Sequence, residues 1–302
     1  MPAIEITDSK GLVQKTGSGV SVTSTITMQP SSQNVNHSVR KSNRIYLDEY
    51  FAQLPGINGD LASTTESTRV PANRDFEILG ANIASSISTF DHDYPGVTLT
   101  TAATDNDSAF IIPHTDTAQS AWALAGMWDS QNEVEWECCI TTAASIATQV
   151  IGAGLKLTQL GHATGTCLST VDTDQAYFLY TSAADSDASL AAVTTPANWH
   201  FVFTAGGVDY ITDLDLAVAV NTRYHLKITI DSSRFVRAYI NGTQVGLAAT
   251  AVAAGTKATS PTAPSAEALT TNKALIPFVG VQALTTTAAA LRVHYVAANR
   301  KI

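Results

Sequence analysis

Residues 223–242 read RYHLKITIDSSRFVRAYING. Tyr224, Leu226, Ile228 and Ile230 alternate with polar residues, so a strand over this run carries one apolar face. Asp231-Ser232-Ser233 supplies turn chemistry, and a second alternation runs from Phe235 to Ile240. Two alternating runs around a short polar turn predict an antiparallel hairpin. The same grammar recurs at Phe201–Ile211, around Gly206-Gly207, a pair that tolerates positive φ.

From about Arg74 onward the chain is built of such runs. FEILG, SISTF, GVTLTT, SAFIIPH, EVEWECCI, QVIGAGLKLT and QAYFLYT are followed by NWHFVFTA, VDYIT, the hairpin above, ALIPFVGVQ and LRVHYVA. That makes about thirteen candidate strands at near-regular spacing, punctuated by TDND, AGG, DSS and ING. Regular short strands with turn chemistry predict an antiparallel sandwich or barrel. The absence of strand–helix alternation argues against a doubly wound α/β fold. At 302 residues the chain has room for two domains, but a single sandwich can exceed 200 residues. The abundance of Thr suits pleated sheet, and charged residues are only 14% of the chain.

The first 74 residues read differently. Residues 1–41 are poor in large apolar side chains and predict an extended N-terminal arm, in which only Val20–Met28 alternates well enough for a strand. In residues 42–74 the run SNRIYLDEYFAQLPG predicts one short helix and a linker: Ser42 or Asn43 can cap it, and Pro55-Gly56 ends it. Tyr46, Tyr50 and Leu54 share one face, with Leu47 and Phe51 beside them at i, i+4 spacing. Residues 75–302 form the predicted sandwich domain. The Ala/Thr/Pro/Ser-rich stretch 248–271 is long for a connection in a compact domain and is expected to be mobile or to lie on another chain.

The net charge of −9 is unevenly distributed. Residues 75–222 hold one basic residue, Lys156, and the closing stretch 223–302 is mildly basic. An acidic body repels phosphate, which argues against direct nucleic-acid binding. The plainer meaning of the charge is solubility. No run of about 18 apolar residues predicts a membrane span, and MPAIEITDSK lacks the pattern of a signal peptide. Adjacent Cys138 and Cys139 would point to opposite faces of a strand and Cys167 stands alone, so reduced thiols and synthesis in the cytosol are expected.

RYHLKITIDSSRFVRAYINGTQVG, followed by ALIPFVGVQ and LRVHYVAANR, resembles the second half of concanavalin A-like (laminin-G-like) jelly-roll domains. The resemblance spans roughly residues 75–300 and implies an all-β antiparallel jelly-roll β-sandwich. With its Ser/Thr/Ala-rich sandwich and N-terminal arm, the chain looks most like structural proteins of tailed bacteriophages. That likeness implies a virion protein assembled in the host cytoplasm, above all a capsid decoration (cement) protein. Its implied partners are the major capsid protein or other virion proteins, and copies of itself in a homo-oligomer. A carbohydrate-binding fibre or spike subunit is the alternative.

Glu133-Val134-Glu135-Trp136-Glu137 is the sharpest chemical pattern. On a strand its three carboxylates line one face, while Val134, Trp136 and Cys138 line the other. Glycosidases of the concanavalin-like fold use such a triplet, so a hydrolase working through Glu133 and Glu137 is a third reading. The centre here is Glu135 rather than Asp, and the plainer expectation is a half-exposed strand in a protein that is no enzyme and has no catalytic residues. Trp136 is then expected to face the other sheet, with Tyr224–Ile230 as its natural counterpart. Recurrent acidic pairs, with Asp105-Asn106-Asp107 the best placed for Ca²⁺, read as Asx turns, and neither a metal nor another cofactor is expected. His200 and His225 fall inside strand patterns and read as sheet-face residues, and Gly152-Ala153-Gly154 as a bulge or a close backbone approach. The basic cluster Arg40, Lys41 and Arg44, with Tyr46, Tyr50 and Phe51 of the expected helix, is the candidate partner-binding segment.

Overall fold

A computed structural model describes residues 4–7, 11–14, 43–51, 56–57, 76–80, 88–90, 96–113, 128–157, 172–182, 193, 195–251 and 257–302. The expected strand Val20–Met28, the residues Arg40 and Lys41, and Cys167 lie outside these. The chain divides into two compact units, Met1–Lys41 and Ser42–Ile302. In the first, β1 (Ile4–Thr7) pairs antiparallel with β2 (Gly11–Gln14).

The second unit is a two-sheet sandwich. Its first sheet runs β13 (Val208–Ala217), β12 (Asn198–Ala205), β11 (Gln175–Thr181), β10 (Gln149–Lys156), β17 (Ile276–Ala283), β8 (Ser108–Pro113), β5 (Phe76–Leu79), β4 (Gly56–Ile57). The second runs β16 (Thr243–Val245), β15 (Val236–Ile240), β14 (Arg223–Ile230), β9 (Glu135–Thr142), β18 (Ala290–Lys301), β7 (Val97–Thr100), β6 (Ser88–Phe90). All pairings are antiparallel except that of β4 with β5. Every strand expected after Arg74 has its counterpart here, and no helix among the described residues is long and apolar enough to cross a membrane.

The turns follow their sequence chemistry. Gly206 and Gly207 take φ of 57° and 82° between β12 and β13, and Asn241 and Gly242 take 51° and 80° between β15 and β16. Both pairs have the doubly positive φ that a tight hairpin of this twist requires. Asp231 Oδ1 accepts hydrogen bonds from the Ser233 and Phe235 amides at 2.9 and 3.0 Å, closing the turn between β14 and β15.

The expected helix after Ser42 is instead a strand. β3 (Arg44–Glu49) pairs antiparallel with the last half of β18, from Val296↔Glu49 to Lys301↔Arg44. An i, i+4 spacing such as Tyr46/Tyr50 is even, so it puts residues on one face of a strand as readily as of a helix. The last turns of β18 have an edge to satisfy, and pairing decides between the two. Phe51 follows with φ 52°, turning its ring fully into the core, while Tyr50 stays outside.

One core fills the space between the sheets. β9 contributes Trp136, Cys138 and Ile140, and β14 contributes Tyr224, Leu226, Ile228 and Ile230. From the first sheet come Ile151, Phe178, Trp199, Phe201 and Val279. Trp136 is fully buried as expected, but Ile228 is its neighbour within the sheet rather than across it. The partner across from Tyr224 is Trp199, edge-on at 5.4 Å. Strand alternation fixes which face a side chain takes, and not whether an apolar neighbour strand lies beside it or opposite it.

The described part of the 248–271 stretch lies against its own chain. Ser265 donates its amide to the Val236 carbonyl at 2.8 Å and accepts the Val236 amide on Oγ at 2.9 Å. The Leu269 amide bonds the Arg234 carbonyl at 3.1 Å, and Leu269 itself is buried. These contacts satisfy the edge of β15 beyond the short β16. Small side chains let the backbone approach closely, which is why the stretch needs little apolar content to stay in place. β10 is regular and has no bulge. Its Gly154 marks a close approach: a Cβ there would lie 2.5 Å from the Ala176 carbonyl oxygen and from Tyr177 Cα.

Candidate functional site: the outer face of the second sheet

Both faces of the first sheet are buried. Its inner side joins the main core, and its outer side carries a second apolar cluster that includes Phe110, Tyr177, Leu179, Val202 and Phe278. The second sheet differs: its outer face is half-buried or exposed over most of its area. Pairing register places its residues in rows. Thr229, Glu135 and Asn299 form one, Lys227, Glu137 and Ala297 the next, and His225, Cys139 and Tyr295 the third. Arg223, Thr141 and Arg292 form the fourth. β15 adds Arg237 and Tyr239 on one flank, and β3 adds Arg44, Tyr46 and Asp48 on the other.

The acidic pattern of the sequence sits at the centre of this face: Glu133 and Glu135 meet cations, and Glu137 meets an imidazole. Glu133 precedes the strand with φ 48° and accepts a hydrogen bond from Lys301 Nζ at 2.8 Å. Glu135 lies 3.4 Å from Lys227 Nζ and 3.6 Å from an Arg44 guanidinium nitrogen. Glu137 lies 3.8 Å from His225 Nε2. Here the pleat that would align the triplet begins only at Glu135.

Beside Glu137 lies a cluster of rings. The Tyr295 hydroxyl and His225 Nε2 share a hydrogen bond. The two rings are 5.8 Å apart, and Tyr50 lies over Tyr295 at 5.8 Å with 39% of its surface exposed. Burial, then the Glu137 carboxylate, pushes the Tyr295 hydroxyl well above its ordinary range, so it remains a donor. Burial also pushes the Cys139 thiol up to about 11, against the opposing pull of Arg223. The Cys138 thiol, on the core side, is also raised well above its ordinary value by burial. The two cysteines are free thiols on opposite faces, as their adjacency implied. Two more side chains complete the row at the far end: Thr141 Oγ1 and His294 Nε2 are 2.8 Å apart.

The segment expected to bind a partner is distributed by β3. Arg44 is 6% exposed, bonds Asn299 Oδ1 and the Glu133 carbonyl, and holds β3 to β9 and β18. Tyr46 is half-buried on the outer face, Phe51 is in the core, and Tyr50 is exposed. His200, as expected, is a sheet-face residue on the first sheet, with Nδ1 3.0 Å from the Asn198 carbonyl. Burial lowers its pKa against the pull of Asp213. Asp107 sits in a turn, its amide bonded to the Thr104 carbonyl at 3.2 Å. No group of three or more metal-ligating side chains occurs among the described residues. Sequence reading missed His225, Lys227 and Tyr295 as members of the site. Their signal was present in RYHLKITI, whose polar positions share a face as strictly as the apolar ones.

The fold is an all-β antiparallel jelly-roll sandwich whose second sheet has a polar, largely half-buried outer face that bears tyrosines. No family model matches the sequence, and no curated protein does. A protein of unknown function from Shewanella oneidensis MR-1 is similar in structure, with a TM-score of 0.50 at 16% identity over 87% of this chain and 88% of that one. The potassium-bound carbohydrate recognition domain of Emp46p gives 0.44 at 7% identity over 74% and 88%. Bacillus licheniformis beta-glucanase gives 0.41 at 11% over 85% and 98%. At these identities the likeness is one of fold alone.

Proposed function

We propose that the sandwich is a non-catalytic carbohydrate-binding module that uses the outer face of the second sheet. The observation that carries this reading is the exposed Tyr50 ring lying on Tyr295, with His225 and Glu137 at its side. A sugar offers an apolar face to stack on a ring and hydroxyls to bond with carboxylate, imidazole and phenol groups, and a few placed polar groups beside rings provide both. Ion pairing of Glu133 and Glu135 favours binding over hydrolysis. The test is affinity electrophoresis in gels containing soluble glycans, with release of reducing sugar measured in parallel. The protein is retarded by at least one glycan, Tyr50→Ala is retarded several-fold less, and no sugar is released. Equal retardation of wild type and Tyr50→Ala would refute the site. Hydrolysis that vanishes in Glu137→Gln would make the protein an enzyme.

Display on a virion is the finer part of the proposal. In it the module is a decoration or fibre subunit of a tailed phage, oligomeric, and joined to the major capsid protein or another virion protein through Met1–Lys41. Its support is the division of the chain into two units at Lys41, where the sequence places Arg40 and Lys41. Labelling this chain in an image of an assembled particle tests it.

A further inference from the structure

Lys156 is the one lysine or arginine in residues 75–222, and it is inside the protein. It ends β10 on the outer face of the first sheet, since its neighbour Leu155 belongs to the inner core. Its side chain is 2% exposed, and its Nζ lies 4.0 Å from Oδ2 of Asp172, whose side chain is 3% exposed. The Tyr177 ring lies beside Nζ, with its centre 5.2 Å away. Two ions buried this far are costly to keep, because their attraction offsets the lost hydration only where the geometry is excellent. At 4.0 Å the two groups are not hydrogen-bonded to each other. Gln175 is the next residue across the sheet, paired with Lys156 on one side and with Thr204 on the other. Gln175 Nε2 donates to Thr204 Oγ1 at 2.9 Å, and that hydroxyl donates to Asp209 Oδ1 at 2.7 Å. This chain turns Nε2 toward β12 and leaves Gln175 Oε1 buried, with no hydrogen-bond partner among the described residues.

The geometry points to a modification site: Lys156 Nζ and Asp172 Cγ condense into an intramolecular amide that cross-links the end of β10 to the segment leading into β11. One proton passes from the ammonium group to the facing carboxylate oxygen, and the freed amine attacks Cγ. The Nζ–Cγ bond forms, a second proton moves from nitrogen to the same oxygen, and the Cγ–O bond breaks to release one water. Ammonium plus carboxylate thus become amide plus water, with no oxidant, reductant or other reactant. Attack needs nitrogen and carbon about 3–3.5 Å apart, which rotation of two facing side chains supplies, and holding them together removes the entropy cost of a bimolecular step. A site closed to water also protects the bond from hydrolysis. The product carries no charge, so the cost of the buried ions disappears. It keeps one N–H, and Gln175 Oε1 is the acceptor left open for it.

The experiment is mass spectrometry of the full chain, purified folded and then denatured. Its intact mass is lower than that of its sequence by one water. Trypsin fails to cut after Lys156, and the peptides holding Lys156 and Asp172 are recovered joined, with fragment ions that place the link between these two side chains. Lys156→Met and Asp172→Ala each restore the full sequence mass. A wild-type chain of full sequence mass that trypsin cuts after Lys156 would overturn the inference. So would a missing water that persists in both variants or maps to other residues, as a cyclised aspartate elsewhere would give. Should either variant fail to fold, the mass and the linked peptides of the wild type decide alone. None of these readouts involves a glycan, so they stand or fall apart from the carbohydrate-binding reading.

Discussion

Trp136→Ala tests how the sandwich is held closed. Trp136 is fully buried on β9, the central strand of the second sheet, with Ile228 of β14 on one side and Ala298 of β18 on the other. Truncating a buried Trp costs about 3–5 kcal/mol, and more where the site cannot collapse. Strands on both sides of β9 restrict collapse here, which favours the upper part of that range. One feature of the site works the other way: the indole Nε1 is buried without a hydrogen-bond partner, so the native state already carries a desolvation cost that Ala removes. At roughly 2–4 °C per kcal/mol for a domain of this size, the melting temperature falls by about 6–20 °C. Trp136→Phe keeps most of the ring, drops the unpaired N–H and costs under about 1.5 kcal/mol. Glu135→Ala, one residue away on the outer face, breaks contacts to Lys227 and Arg44 at 3.4 and 3.6 Å. Arg44 keeps Asn299 and the Glu133 carbonyl, so losing the partly buried Glu135 contacts costs about 1–2 kcal/mol, less than Trp136→Ala. The assay is thermal unfolding followed by circular dichroism. A melt in which Glu135→Ala falls as far as Trp136→Ala, or further, would show the two faces of β9 assigned backwards.

Three further variants probe backbone and burial. Gly154→Ala forces a Cβ to within 2.5 Å of Ala176 and Tyr177 backbone atoms in mid-sheet, so it destabilises by about 1–3 kcal/mol or more; Gly207→Ala, with nothing within 4 Å but φ 82°, costs about 1–2 kcal/mol through backbone strain alone. A Gly154→Ala melt indistinguishable from wild type would refute the close approach. His200, facing Leu179 on β11 and Asp213 on β13, has its pKa lowered by burial below the unfolded value of 6.5. The unfolded chain therefore binds this proton first, and stability present above about pH 6.5 is lost as pH falls below it. His200→Gln flattens the drop in melting temperature between pH 7.5 and 5.5, and an unchanged drop would show that another group causes it.

The sandwich was legible because its signals are local. Alternation of period two and turn pairs such as Gly206-Gly207 and Asn241-Gly242 act within ten residues, and each recovered strand depends on them. The stretch after Ser42 failed for a local reason too, since Tyr46/Tyr50 and Leu47/Phe51 are spaced evenly and fit both periods. What decides it is the edge of β18, some 250 residues away, which no window on the sequence contains. The candidate site divides in the same way. Glu133, Glu135 and Glu137 were visible as a motif, but Lys301, Lys227 and His225 reach them only through the register of β18 and β14 on β9.

That register also explains why the motif and its cations belong together. β9 lies between β14 and β18, the two strands richest in basic residues in an otherwise acidic chain. On β14 the core requires Tyr224, Leu226, Ile228 and Ile230 on one face, which leaves Arg223, His225, Lys227 and Thr229 no choice but the other. On β18 the same demand from Val293, Val296 and Ala298 sends Tyr295, Asn299 and Lys301 outward, with a register shift between Val293 and Tyr295 that brings His294 to Thr141. Glu135 on β9 then meets Lys227 from β14 and Arg44 from β3, with no separate device to align them. Moving β14 by one residue would bury Lys227 and expose Ile228 together, so the packing that stabilises the core also fixes the charges of the outer face. Any ligand of that face is thus selected by side chains whose positions are set by the core beneath them, and substitutions in the core at Ile228 or Trp136 are expected to loosen recognition before they unfold the chain.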